Sequence, residues 1–121
     1  MGSMLFSKNH LWIEQEDNVA VIGITDYAQT KLGNILFLNL PEVGESLEIG
    51  KTLGDVESVK TVSDLISPVA GAVVCVNDEL MDEPDVINES PYEAWFVKVN
   101  IDKQADDLMT EEQYKGFLEA L

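Results

Sequence analysis

Residues 54–74 read GDVESVKTVSDLISPVAGAVV, and Lys60 lies near the centre of this stretch. Residues 51–59 before it and residues 61–66 after it are rich in the valine, threonine, leucine and isoleucine side chains that favour strands. The sequence therefore predicts a β-hairpin with Lys60 at its tip. At such a tip the lysine amine is exposed to water and can be reached by another protein.

The size and charge of the chain exclude several classes of function. A chain of 121 residues is long enough for one modest hydrophobic core. The formal net charge is −16, which repels nucleic-acid phosphates and anionic membranes, so neither is an expected partner. An acidic protein of this kind can bind basic patches on other proteins. An acidic surface that only contacts solvent explains the charge equally well.

Short apolar segments separated by glycine and proline turns predict a compact, mainly β fold. Residues 35–40 are apolar at five of six positions, which predicts a strand buried on both faces. Pro68 and Gly71 are expected to bracket a turn, and Cys75 is expected to be buried in the strand that follows. The expected strands are residues 11–14, 18–24, 35–40, 46–49, 51–59, 61–66, 72–76 and 95–99.

Two helices have recognisable ends. Thr25 can cap a helix of about two turns, which Gly33 would end. Thr110, followed three residues later by Gln113, forms a capping box that predicts a C-terminal helix over residues 110–121. The acidic residues 77–87, broken by a proline, are expected to form short helical turns.

The sequence offers little for a catalytic or metal site. It contains one histidine, His10, one cysteine, Cys75, and no arginine. A Ser/His/Asp triad could therefore only be centred on His10, and zinc would lack a second soft ligand. The aspartates of residues 78–85 lack the spacing of a calcium loop. We therefore expect a non-catalytic protein without a metal, in which Lys60 carries a group for other enzymes.

The segments around Lys60 closely resemble the lipoyl-attachment hairpin of the glycine cleavage system H-protein family. The resemblance rests on residues 57–60 (ESVK), 63–65 (SDL) and 67–71 (SPVAG). It continues in residues 21–29, 32–33, 40–44 and 88–92, and spans roughly residues 9–121. It implies a lipoyl-type flattened barrel, the barrel-sandwich hybrid, with two antiparallel sheets, short helices and a C-terminal helix. The single carrier domain would cover residues 4–121. Residues 1–3, which read Met-Gly-Ser before Met4, resemble a cloning remnant.

The same resemblance implies a function. Lys60 would carry lipoic acid as a covalent lipoamide, and the protein would shuttle an aminomethyl group between enzymes. Glu57 would be recognised by the lipoate-attaching enzyme, and Asp64 would lie near the arm on the far side of the hairpin. The rest of the recognition site and arm environment would be Ser58, Val59 and Thr61.

The implied partners are the other proteins of the glycine cleavage system. They are the glycine decarboxylase (P-protein), the aminomethyltransferase (T-protein) and the dihydrolipoamide dehydrogenase (L-protein). A lipoate ligase or an octanoyl/lipoyl transferase would modify Lys60. The carrier itself is expected to be monomeric, and to work in the cytoplasm of a bacterium or in the mitochondrial matrix of a eukaryote.

Two departures from the family pattern leave alternatives open. The family usually has glutamate where this chain has Leu11, and usually has a glycine-rich turn where residues 92–95 are one residue shorter and lack glycine. An H-like paralogue that is lipoylated but acts in lipoyl relay or another pathway therefore stays possible. A biotin carrier, a 2-oxoacid dehydrogenase lipoyl domain and an acidic binding module with unmodified Lys60 are further alternatives.

Overall fold

The computed structural model describes residues 4–121. The prediction that residues 1–3 are a cloning remnant lies outside this range. The elements in chain order are β1 Met4–Phe6, β2 Leu11–Glu16, β3 Val19–Ile24, α1 Asp26–Leu32, β4 Ile35–Asn39, β5 Ser46–Leu47, β6 Thr52–Ser58, β7 Val62–Ile66, β8 Val69–Val76, α2 Glu79–Asp82, α3 Val86–Glu89, β9 Val97–Gln104 and α4 Glu111–Glu119.

The strands form two antiparallel sheets. One has six strands in the order β1-β2-β3-β9-β8-β5, and the other has three in the order β4-β6-β7. Their inward faces share one hydrophobic core, to which Ile22 and Val99 contribute from the larger sheet and Val56 from the smaller. This arrangement confirms the predicted mainly β fold of two sheets with short helices and a C-terminal helix.

The prediction that β4 is buried on both faces is wrong. Ile35 and Leu38 point into the core, whereas Leu36 and Phe37 are exposed. An irregularity in the pairing with β6 lies between Ile35 and Phe37, which interrupts the simple alternation of side chains. The smaller sheet is covered by the core on one face only, so its other face meets solvent.

Three predictions around β8 and β9 are also corrected. Gly71 lies inside strand β8 and not in a turn, because it pairs with β9 where that strand approaches closely. Cys75 is only partly buried. The last strand covers Val97–Gln104 instead of residues 95–99, since backbone pairing with β8 holds its polar second half without an apolar side-chain pattern.

The C-terminal helix has the predicted cap. The Thr110 hydroxyl accepts a hydrogen bond from the Gln113 N–H at 3.2 Å, and the Gln113 side-chain oxygen accepts one from the Thr110 N–H at 2.9 Å. Tyr114 anchors the helix by stacking on Phe6 with ring centroids 4.7 Å apart. A second hydrophobic cluster, which includes Trp12, therefore joins α4 to the larger sheet.

Thr110→Ala is expected to lower the free energy of unfolding by about 1 kcal/mol, because it removes the hydroxyl that caps the first turn of α4. Urea unfolding measures this loss as a lower midpoint concentration, with the m value unchanged. Thr30→Ala, at an exposed position inside α1, is the control and should raise the midpoint slightly, because alanine is the better helix former. Equal midpoints for both variants would contradict the assigned cap.

Candidate functional site

Lys60 lies at the tip of the β6–β7 hairpin, as predicted, and its side chain is exposed. The turn is organised by Ser58, which is buried. Its hydroxyl accepts hydrogen bonds from the backbone N–H groups of Lys60 at 3.1 Å and Thr61 at 3.2 Å, and donates to the Thr61 carbonyl at 3.2 Å. One buried hydroxyl thus fixes the backbone on which the exposed amine stands.

The segment that joins α1 to β4 supports the tip from one side. The Val59 N–H donates to the Asn34 carbonyl at 3.0 Å. Gly33, with a φ of 76°, ends α1 in a conformation that suits glycine. A Cβ at Gly33 would lie 3.4 Å from Lys60 Cε, so the stem of the lysine runs alongside this glycine.

Asn88 holds that segment in place, and the sequence interpretation missed it. Its side-chain N–H₂ donates to the Gly33 carbonyl and to the Gln29 side-chain oxygen, both at 2.9 Å. Its side-chain oxygen accepts the Ile35 N–H at 2.9 Å. These partners lie 53 to 59 residues away in sequence, so local spacing gave no signal for the role of Asn88.

Glu57 and Asp64 lie on the solvent-facing side of the three-stranded sheet, which we call the outer face. Its side chains form two rows across the three strands: Phe37, Glu57 and Val62 nearer the tip, then Asn39, Asp55 and Asp64. The structure therefore brings Glu57, Val59, Lys60 and Thr61 together at the tip of the hairpin, while Ser58 points inward and Asp64 lies in the row further from the tip. Their roles toward an attached group stay predictions.

His10 performs a structural task at a different place. Its Nδ1 lies 2.8 Å from the Tyr114 hydroxyl, which lies 2.8 Å from the Thr25 hydroxyl. The Thr25 oxygen caps α1 by accepting the Ala28 N–H at 3.2 Å. Burial lowers the pKa of His10 below its ordinary value of 6.5. A neutral ring suits this chain of hydrogen bonds, because its unprotonated Nδ1 can accept a hydrogen bond from the Tyr114 hydroxyl.

Protonation of His10 gives the protein a predictable pH dependence. Because the pKa of His10 is lower in the folded than in the unfolded protein, the unfolded chain binds the proton first as pH falls. The stabilisation that neutral His10 contributes is fully present above about pH 6.5, and it is lost as pH falls from that value through the lower folded pKa. The aromatic side chains packed against the ring are Tyr27, Tyr114 and Phe117.

Urea unfolding from pH 7.5 to 5 measures this dependence. His10→Asn is the control, since asparagine tolerates the φ of 66° at this position and does not titrate. Its unfolding free energy should vary less with pH between 6.5 and 5 than that of the parent protein. Identical slopes for the two proteins would contradict the assignment to His10.

Comparison with known proteins identifies the family. The family model described as glycine cleavage H-protein matches residues 4–121. This chain belongs to the glycine cleavage H-protein family. The H protein of Staphylococcus epidermidis is 54% identical over 116 residues, covering 93% of this chain and 92% of the relative. That of Oceanobacillus iheyensis is 49% identical over 119 residues, covering 96% and 94%.

A solved structure agrees. The crystal structure of a glycine cleavage system H protein from Mycobacterium marinum superposes with a TM-score of 0.92 at 38% identity, covering all of this chain and 99% of that one. The protein is thus a lipoyl carrier of the glycine cleavage system. It holds a covalent lipoamide, is a non-catalytic subunit and works with the other enzymes of that system.

These findings confirm the function that the resemblance implied, in preference to a biotin carrier or a 2-oxoacid dehydrogenase lipoyl domain. Within residues 4–121, no helix has the length and apolar character needed to cross a membrane.

Proposed function

We propose that Lys60 is the residue that bears the lipoyl arm. The observation that supports this most directly is its position: an exposed amine on a hairpin turn whose backbone is fixed by Ser58. The other lysines are engaged or lie elsewhere. Lys8 and Lys115 pair with carboxylates, and Lys31 and Lys98 lie over aromatic rings.

The surroundings of Lys60 suit an attached arm. The stem of the lysine passes Gly33, where no side chain crowds it. Acylation converts the amine to an amide and removes one positive charge from a chain whose formal net charge is −16. Lipoate supplies a dithiolane that can cycle between disulfide and dithiol, which the protein's own side chains cannot do. The protein contributes the tether, which raises the local concentration of the reactive end at each enzyme.

The partners follow from this role. The glycine decarboxylase would load the arm, the aminomethyltransferase would unload it and the dihydrolipoamide dehydrogenase would reoxidise it. A lipoate ligase or an octanoyl/lipoyl transferase would recognise the tip through Glu57, Val59 and Thr61, and Asp64 would lie near the bound arm. The named relatives are bacterial, which favours the bacterial cytoplasm over the mitochondrial matrix. The family match over residues 4–121 supports one carrier domain.

The test is glycine-dependent carbon dioxide exchange by a glycine decarboxylase, with this protein added after treatment with lipoate ligase. Peptide mass spectrometry establishes which lysine is acylated. We expect a single lipoyl group on Lys60 and exchange activity that depends on it. Acylation of another lysine, or of none, would overturn the assignment of Lys60.

One departure from the family pattern concerns the loaded arm. Leu11 stands where the family usually has glutamate, and this apolar side chain is buried in the core, so the position offers no carboxylate to a loaded arm. Exchange that is slower than with another fully lipoylated family member would show that the missing carboxylate matters. Equal activity would show that the departure is tolerated.

A further inference from the structure

We propose that the outer face of the three-stranded sheet is the docking surface for the enzyme that acylates Lys60. The inference rests on the proposed role of Lys60 and extends it to the opposite side of the hairpin from the core. It assigns this contact to Phe37, Val62, Asp55 and Asp64, in addition to the residues next to the lysine.

The part of the face nearest the tip exposes apolar side chains around Glu57. Phe37 is 62% exposed, Val62 is 56% exposed and Val59, next to Lys60, is 60% exposed. Phe37 and Val62 stand on either side of Glu57 in one cross-strand row. Because these three side chains are mostly exposed, they contribute little hydrophobic stabilisation to the fold. Exposed apolar groups of this kind are frequent anchors of protein interfaces.

The next row is acidic. Asp55 and Asp64 are direct cross-strand partners, an arrangement of like charges that costs free energy in an isolated sheet. Asp55 accepts a hydrogen bond from the Asn39 side chain at 2.8 Å, and within residues 4–121 neither aspartate pairs with a lysine. A basic patch on a partner would relieve this repulsion and would speed association with an acidic protein.

The reach of the lysine decides which partner fits. An extended lysine side chain places its amine only about 6 Å from its own Cα at standard bond lengths. The acylating enzyme must bring its reaction centre to that amine, so it must lie against the residues that surround the turn, among which the exposed Phe37, Val59 and Val62 offer apolar contact area. Enzymes that act on the far end of the arm can place their reaction centres roughly another 10 Å from the lysine amine, at the same bond lengths. The short reach therefore favours the attaching enzyme, which has to approach the turn closely, as the partner of the outer face.

The attachment step needs no group beyond an activated acyl donor. The Lys60 amine attacks the acyl carbon of lipoyl adenylate, the amide bond forms, the bond to AMP breaks and the amine proton passes to solvent. No oxidation or reduction occurs. Docking on the outer face would hold the amine at the acyl carbon.

The test measures kcat/KM for attachment by a purified lipoate ligase with lipoate and ATP, using the unmodified protein as substrate. We expect Phe37→Ser to lower kcat/KM about tenfold, as loss of an interface anchor does. Asp55→Asn combined with Asp64→Asn should lower it several-fold at low salt and much less at about 0.5 M salt, where exposed charges are screened. Val74→Ser, at an exposed valine of β8, and Asp102→Asn with Asp106→Asn are the matched controls.

A second measurement separates this proposal from its alternatives. The Phe37→Ser protein and both control proteins, after prolonged treatment to full lipoylation, should support glycine-dependent exchange at the rate of the parent protein. Unchanged attachment in the outer-face variants would overturn the docking proposal, and so would normal attachment with slowed exchange, which would assign the face to the decarboxylase. Failure of the parent protein to accept lipoate at Lys60 would instead overturn the proposed function itself. Urea midpoints show that the variants are folded.

Discussion

Lys60→Arg is expected to abolish lipoylation and glycine-dependent exchange together. Arginine keeps the length and positive charge of the side chain, and the turn held by Ser58 does not depend on the lysine amine. A guanidinium stays protonated and does not act as an acceptor amine, so no amide can form. Intact-mass spectrometry after ligase treatment should show no added lipoyl group.

Lys51→Arg is the matched control, because Lys51 is an exposed lysine that precedes strand β6 at the other end of the same hairpin. It should be lipoylated at the rate of the parent protein. A lipoyl group on the Lys60→Arg protein would show that another lysine accepts lipoate, and the hairpin would lose its assigned role.

Gly71→Ala is expected to lower the free energy of unfolding by about 3 kcal/mol or more. A Cβ at this position would collide with the backbone carbonyl of Asn100 on the neighbouring strand. That carbonyl can move only if strand pairing is lost, because β8 and β9 are paired on both sides of the contact, with a register shift between Ala70 and Gly71. Relief would require the two strands to separate in the middle of the larger sheet.

Gly116→Ala is the control for the glycine effect. Gly116 lies inside α4, and a Cβ there meets nothing within 4 Å. Alanine is the better helix former, so this variant should be more stable by about 0.5–1 kcal/mol. Urea unfolding of both variants measures the contrast. A Gly71→Ala protein within 1 kcal/mol of the parent would show that the strands are further apart than the structure places them.

The features that local sequence determines were predictable. The Lys60 hairpin follows from β-forming residues on both sides of the lysine, and the cap of α4 follows from Thr110 and Gln113 three residues apart. Both depend on neighbours within a few positions. The family resemblance added the fold and the attached group, which residue patterns alone do not specify.

The features that were missed depend on distant parts of the chain. The exposure of Phe37 is decided by which face of the small sheet meets the core, and an apolar run carries no information about that. The strand through Asn100 to Gln104 is held by backbone pairing with β8. Asn88 acquires its role only when α3 packs beside the end of α1, as their contact shows.

The clamp formed by Asn88 also affects how the carrier meets several enzymes in turn. Because Asn88 fixes the segment that holds Val59, the turn that would carry the arm is tied by hydrogen bonds to the rest of the protein. Conformational freedom would then lie in the attached arm itself. Each enzyme would meet the same preformed turn by rigid-body docking.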